Sequence, residues 1–155
     1  MKEIVGYEGK YAVDSEGIVY SLNYRRTGKT KALKASECGA GYLSVNLYMN
    51  GKKKKHAVHR LLAQAYLDDY SEELQVDHID TVKTNNCLSN LRMVTQQQNG
   101  FNRNAKGYYA HKQSKKWLAQ IRLNGKQHYL GLFENEQDAR QCYLDAKEKM
   151  HIIPT

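Results

Sequence analysis

A chain of 155 residues holds one ordinary domain or two small ones. Lys and Arg outnumber Asp and Glu by 24 to 16, and the resulting formal charge of +8 suits either a polyanionic partner or simple solubility. With 41% hydrophobic residues there is material for a core, but no stretch is long and apolar enough to cross a bilayer. The three cysteines form no C-x-x-C pair and are odd in number, which argues against a disulfide framework or a zinc knuckle and fits a reducing compartment. Residues 1–20 lack the apolar run of a secretory signal.

Along the chain, residues 10–22 (KYAVDSEGIVYSL) predict two short strands around a turn at 14–17. Residues 23–41 are polar and basic and read as a loop with a short strand near 32–35. In residues 43–49, Leu43, Val45, Leu47 and Met49 alternate with polar or amphipathic residues, and Asn50 and Gly51 supply the turn of a hairpin. The four lysines at 52–55 fit either a phosphate-gripping strand tip or a solvated edge guarded against aggregation. Residues 59–67 (HRLLAQAYL) predict an amphipathic helix burying Leu61, Leu62, Ala65 and Tyr66. A strand at 76–80, a polar loop at 81–90, a strand at 91–95 and a helix from Gln96 follow.

The chemistry concentrates in VDHIDTVKTNNCLSNLRMVTQQQN, residues 76–99. Asp77 and His78 are neighbours at the end of a predicted strand, so their side chains point to opposite faces. Asn90 lies before the second strand and Asn99 on the helix after it; a hairpin folded back on that helix would converge these groups. Phosphodiester hydrolysis needs a base to activate water and a cation to stabilise charge on the phosphate. Asp77 and Asn99 offer hard oxygen ligands suited to one divalent cation, Mg²⁺ or Mn²⁺. An imidazole changes charge near neutral pH, so His78 can serve as the base. Asn90 can fix the loop through its backbone, and Arg92 and Arg103 can meet phosphate oxygens.

Residues 58–99, through VHRLLAQAYL, VDHID and NNCLSNLRMVTQQQN, resemble the HNH endonucleases, particularly the phage-type homing endonucleases. The resemblance implies a ββα-metal core in which Asp77 and Asn99 hold the metal, His78 is the general base and Asn90 shapes the loop. Many relatives, such as the colicin nucleases, use histidine ligands, one of them further along the helix; here that turn offers Asn102 or Arg103, and the Asp and Asn pair is similar to the homing subgroup. His59 matches a recurrent position and is read as structural, because it precedes the Asp77 and His78 pair by a whole helix. Residues 4–35 resemble a modular element that often precedes such nucleases and implies DNA contact or scaffolding.

After Ala105 the pattern restarts, with strands expected at 107–112, 117–123 and 126–133 and a helix at 134–150 whose stripe is Ala139, Tyr143, Ala146 and Met150. Asn124 and Gly125 make the second hairpin turn. Lys106, Lys112, Lys115, Lys116, Arg122 and Lys126 fall in residues 106–133, which contain no acid. Opposite Trp117, Ala119 and Ile121 lie Gln120 and Arg122, and Tyr109, His111, Gln127 and Tyr129 are expected on that same face, where Arg and Gln can read base edges. GYYAHKQSKKWLAQIRLNGKQHYLGLF resembles the DNA-binding domain of plant ethylene-response factors, which implies a three-stranded sheet lying in the major groove. Tyr109, His111, Gln127 and Tyr129 replace the arginines and tryptophan of the plant domains, so their target sequence does not carry over.

The expectation is therefore an α+β chain of three modules, 1–55, 56–105 and 106–155. It implies a metal-dependent, site-selective endonuclease acting on double-stranded DNA as a monomer or homodimer. No membrane is involved, and the setting is the cytoplasm of a bacterial host, with a phage- or intron-encoded gene. The main rival is a non-catalytic DNA-binding regulator that keeps the fold.

Overall fold

The computed structural model describes residues 1–153. Contacts divide the chain into two compact units, Met1–Thr95 and the residues from Gln96 onward. Both mix helices with antiparallel sheets, so the class is α+β.

In the first unit, β1 (Lys2–Glu3), β2 (Tyr11–Val13), β3 (Val19–Ser21) and β4 (Lys31–Ala32) form one antiparallel sheet in sequence order. The expected turn joins β2 to β3. Asp14 Oδ1 accepts the backbone N–H groups of Glu16 at 3.0 Å and Ile18 at 2.8 Å, and Gly17 takes φ +77°. The strand expected near residues 32–35 is shorter and starts earlier: β4 ends at Ala32, and β5 (Ser36–Glu37) opens the next sheet. Between them Leu33 N–H still donates to the Val19 carbonyl at 2.7 Å, and Leu33 and Ala35 pack on the core as the chain crosses between sheets.

β5 pairs with β6 (Leu43–Met49), and β6 pairs with β7 (Lys52–Ala57). Asn50 and Gly51 turn the hairpin with φ of 51° and 76°, the two positive values that this tight turn requires. β7 runs straight into α1 (Val58–Tyr66). Leu61 and Leu62 are buried as expected, but Val58, His59 and Ala63 are buried too, and Ala65 and Tyr66 only partly. The broader face follows from the packing: α1 touches strands of all three sheets in the unit, so one amphipathic stripe cannot cover its contacts. β8 (Gln75–His78) and β9 (Leu91–Val94) form the third, two-stranded sheet. Ile4, Val13, Val19, Val45, Leu47, Leu62 and Leu91 make the shared core, each full burial contributing about 1.5–3 kcal/mol.

The second unit holds α2 (Gln96–Phe101), the antiparallel sheet β10 (Tyr108–Ala110), β11 (Trp117–Leu123) and β12 (Lys126–Phe133), and α3 (Glu136–Met150). α3 begins two residues later than the pattern predicts because Asn135 caps it, its side-chain oxygen accepting the Asp138 N–H at 2.9 Å. Asn124 and Gly125 turn the second hairpin with φ of 51° and 74°. A β-bulge then shifts the β11–β12 register, so that Ala119 faces Gly131 while Gln120 faces Tyr129. The bulge pairs Trp117 with Phe133 and Leu118 with Leu132. Phe133 thereby joins Tyr108, Ala119, Ala139 and Trp117 in the core, and Leu132 is left exposed. From α3, Ala139 and Tyr143 are buried, and Ala146 and Met150 partly so.

Candidate active site

Asp77 and His78 occupy the last two positions of β8, and the antiparallel register sets Asp77 opposite Arg92 and His78 opposite Leu91. Alternation sends the two side chains to different faces. On one face Arg92 Nε and Nη2 both donate to Asp77 Oδ2, at 3.0 and 2.9 Å. On the other the His78 imidazole turns toward the core and is 5% exposed. Its ring centroid lies 5.2 Å from that of His59 on α1 and 5.9 Å from that of Tyr42. His78 Nε2 meets Asn86 Oδ1 at 3.0 Å.

The loop between β8 and β9 is closed by the backbone bond from Ile79 N–H to the Asn90 carbonyl at 2.9 Å and, beyond it, by side chains. Asn90 Oδ1 accepts the Asp80 N–H at 3.0 Å, and its Nδ2 donates to Asp80 Oδ1 and to the Asn85 carbonyl, both at 2.9 Å. Asn85 Nδ2 donates to Asp80 Oδ2 at 2.7 Å. The Asn85 bond, with smaller help from Asn90 and the Val82 N–H, holds the Asp80 carboxyl below its ordinary value against the opposing effect of desolvation. One buried carboxamide thus makes three hydrogen bonds within the loop.

Asp80, Asn85 and Asn86 were not singled out in the sequence. Asn86 is 4% exposed, and its Nδ2 has no hydrogen-bond partner, an arrangement that costs about 1–3 kcal/mol. A polar loop reads as turn chemistry, and only the tertiary packing shows that one of its amides is enclosed beside the histidine.

His59 is 7% exposed, and its Nδ1 also lacks a partner. Burial, reinforced by the charges of His78 and Arg60, lowers its pKa from 6.5 to about 4. It is therefore neutral near pH 7, in keeping with a structural role. Because the folded value lies below the unfolded one, the unfolded chain binds the extra proton. His59 then lends full stability above pH 6.5 and loses it as pH falls toward 4, a loss of up to about 3 kcal/mol. Urea unfolding across that range should show the acid slope in the parent chain and a flatter one in His59→Phe. Equal slopes would assign the proton uptake elsewhere.

Asn99 lies on α2, partly buried, in the second unit. Arg103 follows α2 with an exposed side chain, while its carbonyl accepts Lys147 Nζ at 3.0 Å. On the sheet, Gln120 faces Tyr129, Arg122 faces Gln127 and Tyr109 faces Leu118, so Tyr109, Gln120, Arg122, Gln127 and Tyr129 share one side. Tyr109 and Tyr129 are 46% and 62% exposed. His111 sits one residue beyond β10, where its Nδ1 meets Ser114 Oγ at 2.9 Å. Lys115 is exposed at the tip of the β10–β11 turn, and Lys116 pairs with Glu134. Gln97, Tyr109, Gln120, Arg122 and Gln127 border a cleft of about 910 Å³ within this unit.

A family model described as HNH endonuclease matches residues 56–101. DNA endonuclease I-HmuI of Bacillus phage SP01 is 44% identical over 106 residues, covering 68% of this chain and 58% of the relative. H-N-H endonuclease F-TflII of Escherichia phage T5 is 38% identical over 90 residues, covering 57% of this chain and 44% of the relative. The chain thus spans about half the length of these curated relatives. A solved structure described as DNA binding and cleavage by the HNH homing endonuclease I-HmuI superposes with a TM-score of 0.61 at 32% identity, covering 99% of this chain and 92% of that one.

Proposed function

The chain belongs to the HNH endonuclease family, and from that premise we propose that it is a metal-dependent, site-selective endonuclease of double-stranded DNA, of the homing type. The observation that supports this best is the β8–loop–β9 unit, which carries Asp77 and His78 side by side on opposite faces and closes its loop through Asn90. HNH nucleases generally depend on a divalent cation, and the donors here fit one. The buried Asp77 carboxylate and the Asn99 carboxamide are hard oxygen ligands of the kind that Mg²⁺ or Mn²⁺ takes together with water and phosphate oxygens. No cluster of three or more His, Cys, Asp or Glu is gathered among the described residues, so the donor set does not resemble an enclosed zinc site. When bound, the ion supplies charge stabilisation at the phosphate and the leaving oxygen.

In this reading His78 takes the proton from the attacking water, and Asn90 keeps the loop in shape. Arg92 and Arg103 meet phosphate oxygens, Arg92 exchanging the Asp77 carboxylate it holds here for phosphate. Tyr109, His111, Lys115, Lys116, Gln120, Arg122, Gln127 and Tyr129 form the DNA-reading surface of a 106–155 module. Residues 1–55 form a nuclease-associated module and 56–105 the nuclease core. With one site per chain, a monomer nicks one strand, and a double-strand cut takes a dimer or a second event. The enzyme acts in the cytoplasm of a bacterial host, from a phage- or intron-borne gene. No helix among the described residues is long and apolar enough to cross a membrane.

A supercoiled-plasmid assay with Mg²⁺ or Mn²⁺, set against chelator, tests the reading. Metal-dependent relaxation is expected. Tight DNA binding without relaxation under either metal would favour a non-catalytic regulator, a reading supported by the closed Arg92–Asp77 ion pair. Arg122→Ala should blur site choice, costing about 1–3 kcal/mol of discrimination if its guanidinium reads a base, while saturating DNA is still cut. Cut-site mapping on randomised duplexes checks this, and an unchanged pattern would remove base reading from Arg122.

A further inference from the structure

We propose that the N-terminal turn at residues 14–17 is a brace for the general base: its backbone seats Asn86, and Asn86 orients the His78 ring. The inference rests on the nuclease reading of His78 given above.

The turn is internally rigid. Asp14 accepts the N–H groups of Glu16 and Ile18 through Oδ1 and the Tyr20 hydroxyl through Oδ2, all within 3.0 Å. It is tied to the β8–β9 loop at the residue after Cys87: Leu88 N–H donates to the Ser15 carbonyl at 2.8 Å. Gly17 lies directly against Asn86. A Cβ on Gly17 would fall 2.8 Å from Asn86 Cβ and 2.9 Å from Asn86 O, closer than any side chain can sit. Its φ of +77° is also one that only glycine adopts without strain. Asn86 is thus pressed between this backbone and His78, and it bonds His78 Nε2 at 3.0 Å.

The direction of that bond matters. Asn86 presents its carbonyl oxygen, so in the neutral ring the proton sits on Nε2 and Nδ1 carries the lone pair that a base uses. An apolar side chain in this enclosed place would spare the unpartnered Nδ2 but would take away the acceptor that the buried His78 Nε2 meets, so the amide is matched to the ring.

The test uses the full chain with ¹⁵N-labelled histidine and three variants, Gly17→Ala, Asn86→Ala and Asn86→Asp. Asn86→Ala only removes atoms, one of them unsatisfied, so the fold survives it. Above the imidazole titration range, ring-nitrogen NMR should place the His78 proton on Nε2 in the parent chain and in Asn86→Asp, which keeps the acceptor. Mixed tautomers are expected in Gly17→Ala and Asn86→Ala. Their single-turnover cleavage at saturating DNA should fall about 100-fold, the effect of a misplaced reacting group, with Kd for DNA unchanged. Asn86→Asp should recover most of the rate. Parental tautomer and rate in both Gly17→Ala and Asn86→Ala would overturn the brace, as would rate and Kd falling in step. If the parent chain cuts nothing under Mg²⁺ or Mn²⁺, the nuclease reading fails, and the ring-nitrogen spectra alone decide whether the turn orients His78.

Discussion

Replacing His78 with Ala is expected to slow plasmid cleavage by about 100- to 10,000-fold, the usual contribution of a positioned general base, while Kd for DNA stays near the parental value. The two readouts separate because His78 is 5% exposed and turned toward the core, where it has little surface to offer a duplex. The residues proposed to grip DNA lie elsewhere: Arg92 on the opposite face of β8–β9, and the rest in the second unit. Deleting a ring packed between Tyr42, His59 and Asn86 also leaves a cavity, so some loss of Tm will accompany the change. Assays held well below that Tm keep the two effects apart. Equal loss of cutting and binding would contradict the division of roles, and unaltered cutting would remove His78 from the chemistry.

The largest effect on stability is expected at Gly107. It precedes β10 with φ +70°, and a Cβ there would overlap the Tyr143 ring at Cδ2 and Cε2. Tyr143 is 4% exposed on α3, so most of its ring is enclosed by neighbours that resist its displacement. Gly107→Ala therefore forces the sheet away from the helix. Overpacking costs about 1–3 kcal/mol, and the left-handed backbone adds about 1–2 kcal/mol for a residue with a Cβ. The second unit has a small core, built on Tyr108, Ala119 and Ala139, and cannot absorb that. Urea unfolding should show this unit melting early, and DNA affinity should fall together with its salt dependence. A destabilisation below about 1 kcal/mol would mean that Tyr143 can move and that the close approach is not structural.

Much of this molecule is written in local pattern. The hairpins at Asn50 and Gly51 and at Asn124 and Gly125 are legible because their positive φ values suit those residues and almost no others. The strands 43–49 and 117–123 follow from alternation, which is long enough there to be counted. The same approach fails where an element is too short to have a period. β1, β4 and β5 each have two residues, and their partners alone define them as strands.

The candidate site divides in the same way. Asp77, His78 and Asn90 could be singled out because their joint pattern, unlike any one of them alone, resembles the HNH endonuclease motif. The partners of those residues could not. That Arg92 holds Asp77 follows from a cross-strand register. That Asn86 is the amide beside His78, out of Asn85, Asn86 and Asn90 in one loop, depends on how residues 14–17 pack from the far end of the unit.

By itself, then, the sequence determined the longer elements and the hairpin turns and pointed to the candidate site residues, since these depend on backbone preference and chemistry within a few positions. Only the tertiary structure decided where the β11–β12 register slips, which amide orients the histidine and why Gly17 and Gly107 cannot carry a side chain. Those outcomes arise from close contacts between segments far apart in the chain, and no local propensity encodes a contact with a distant partner.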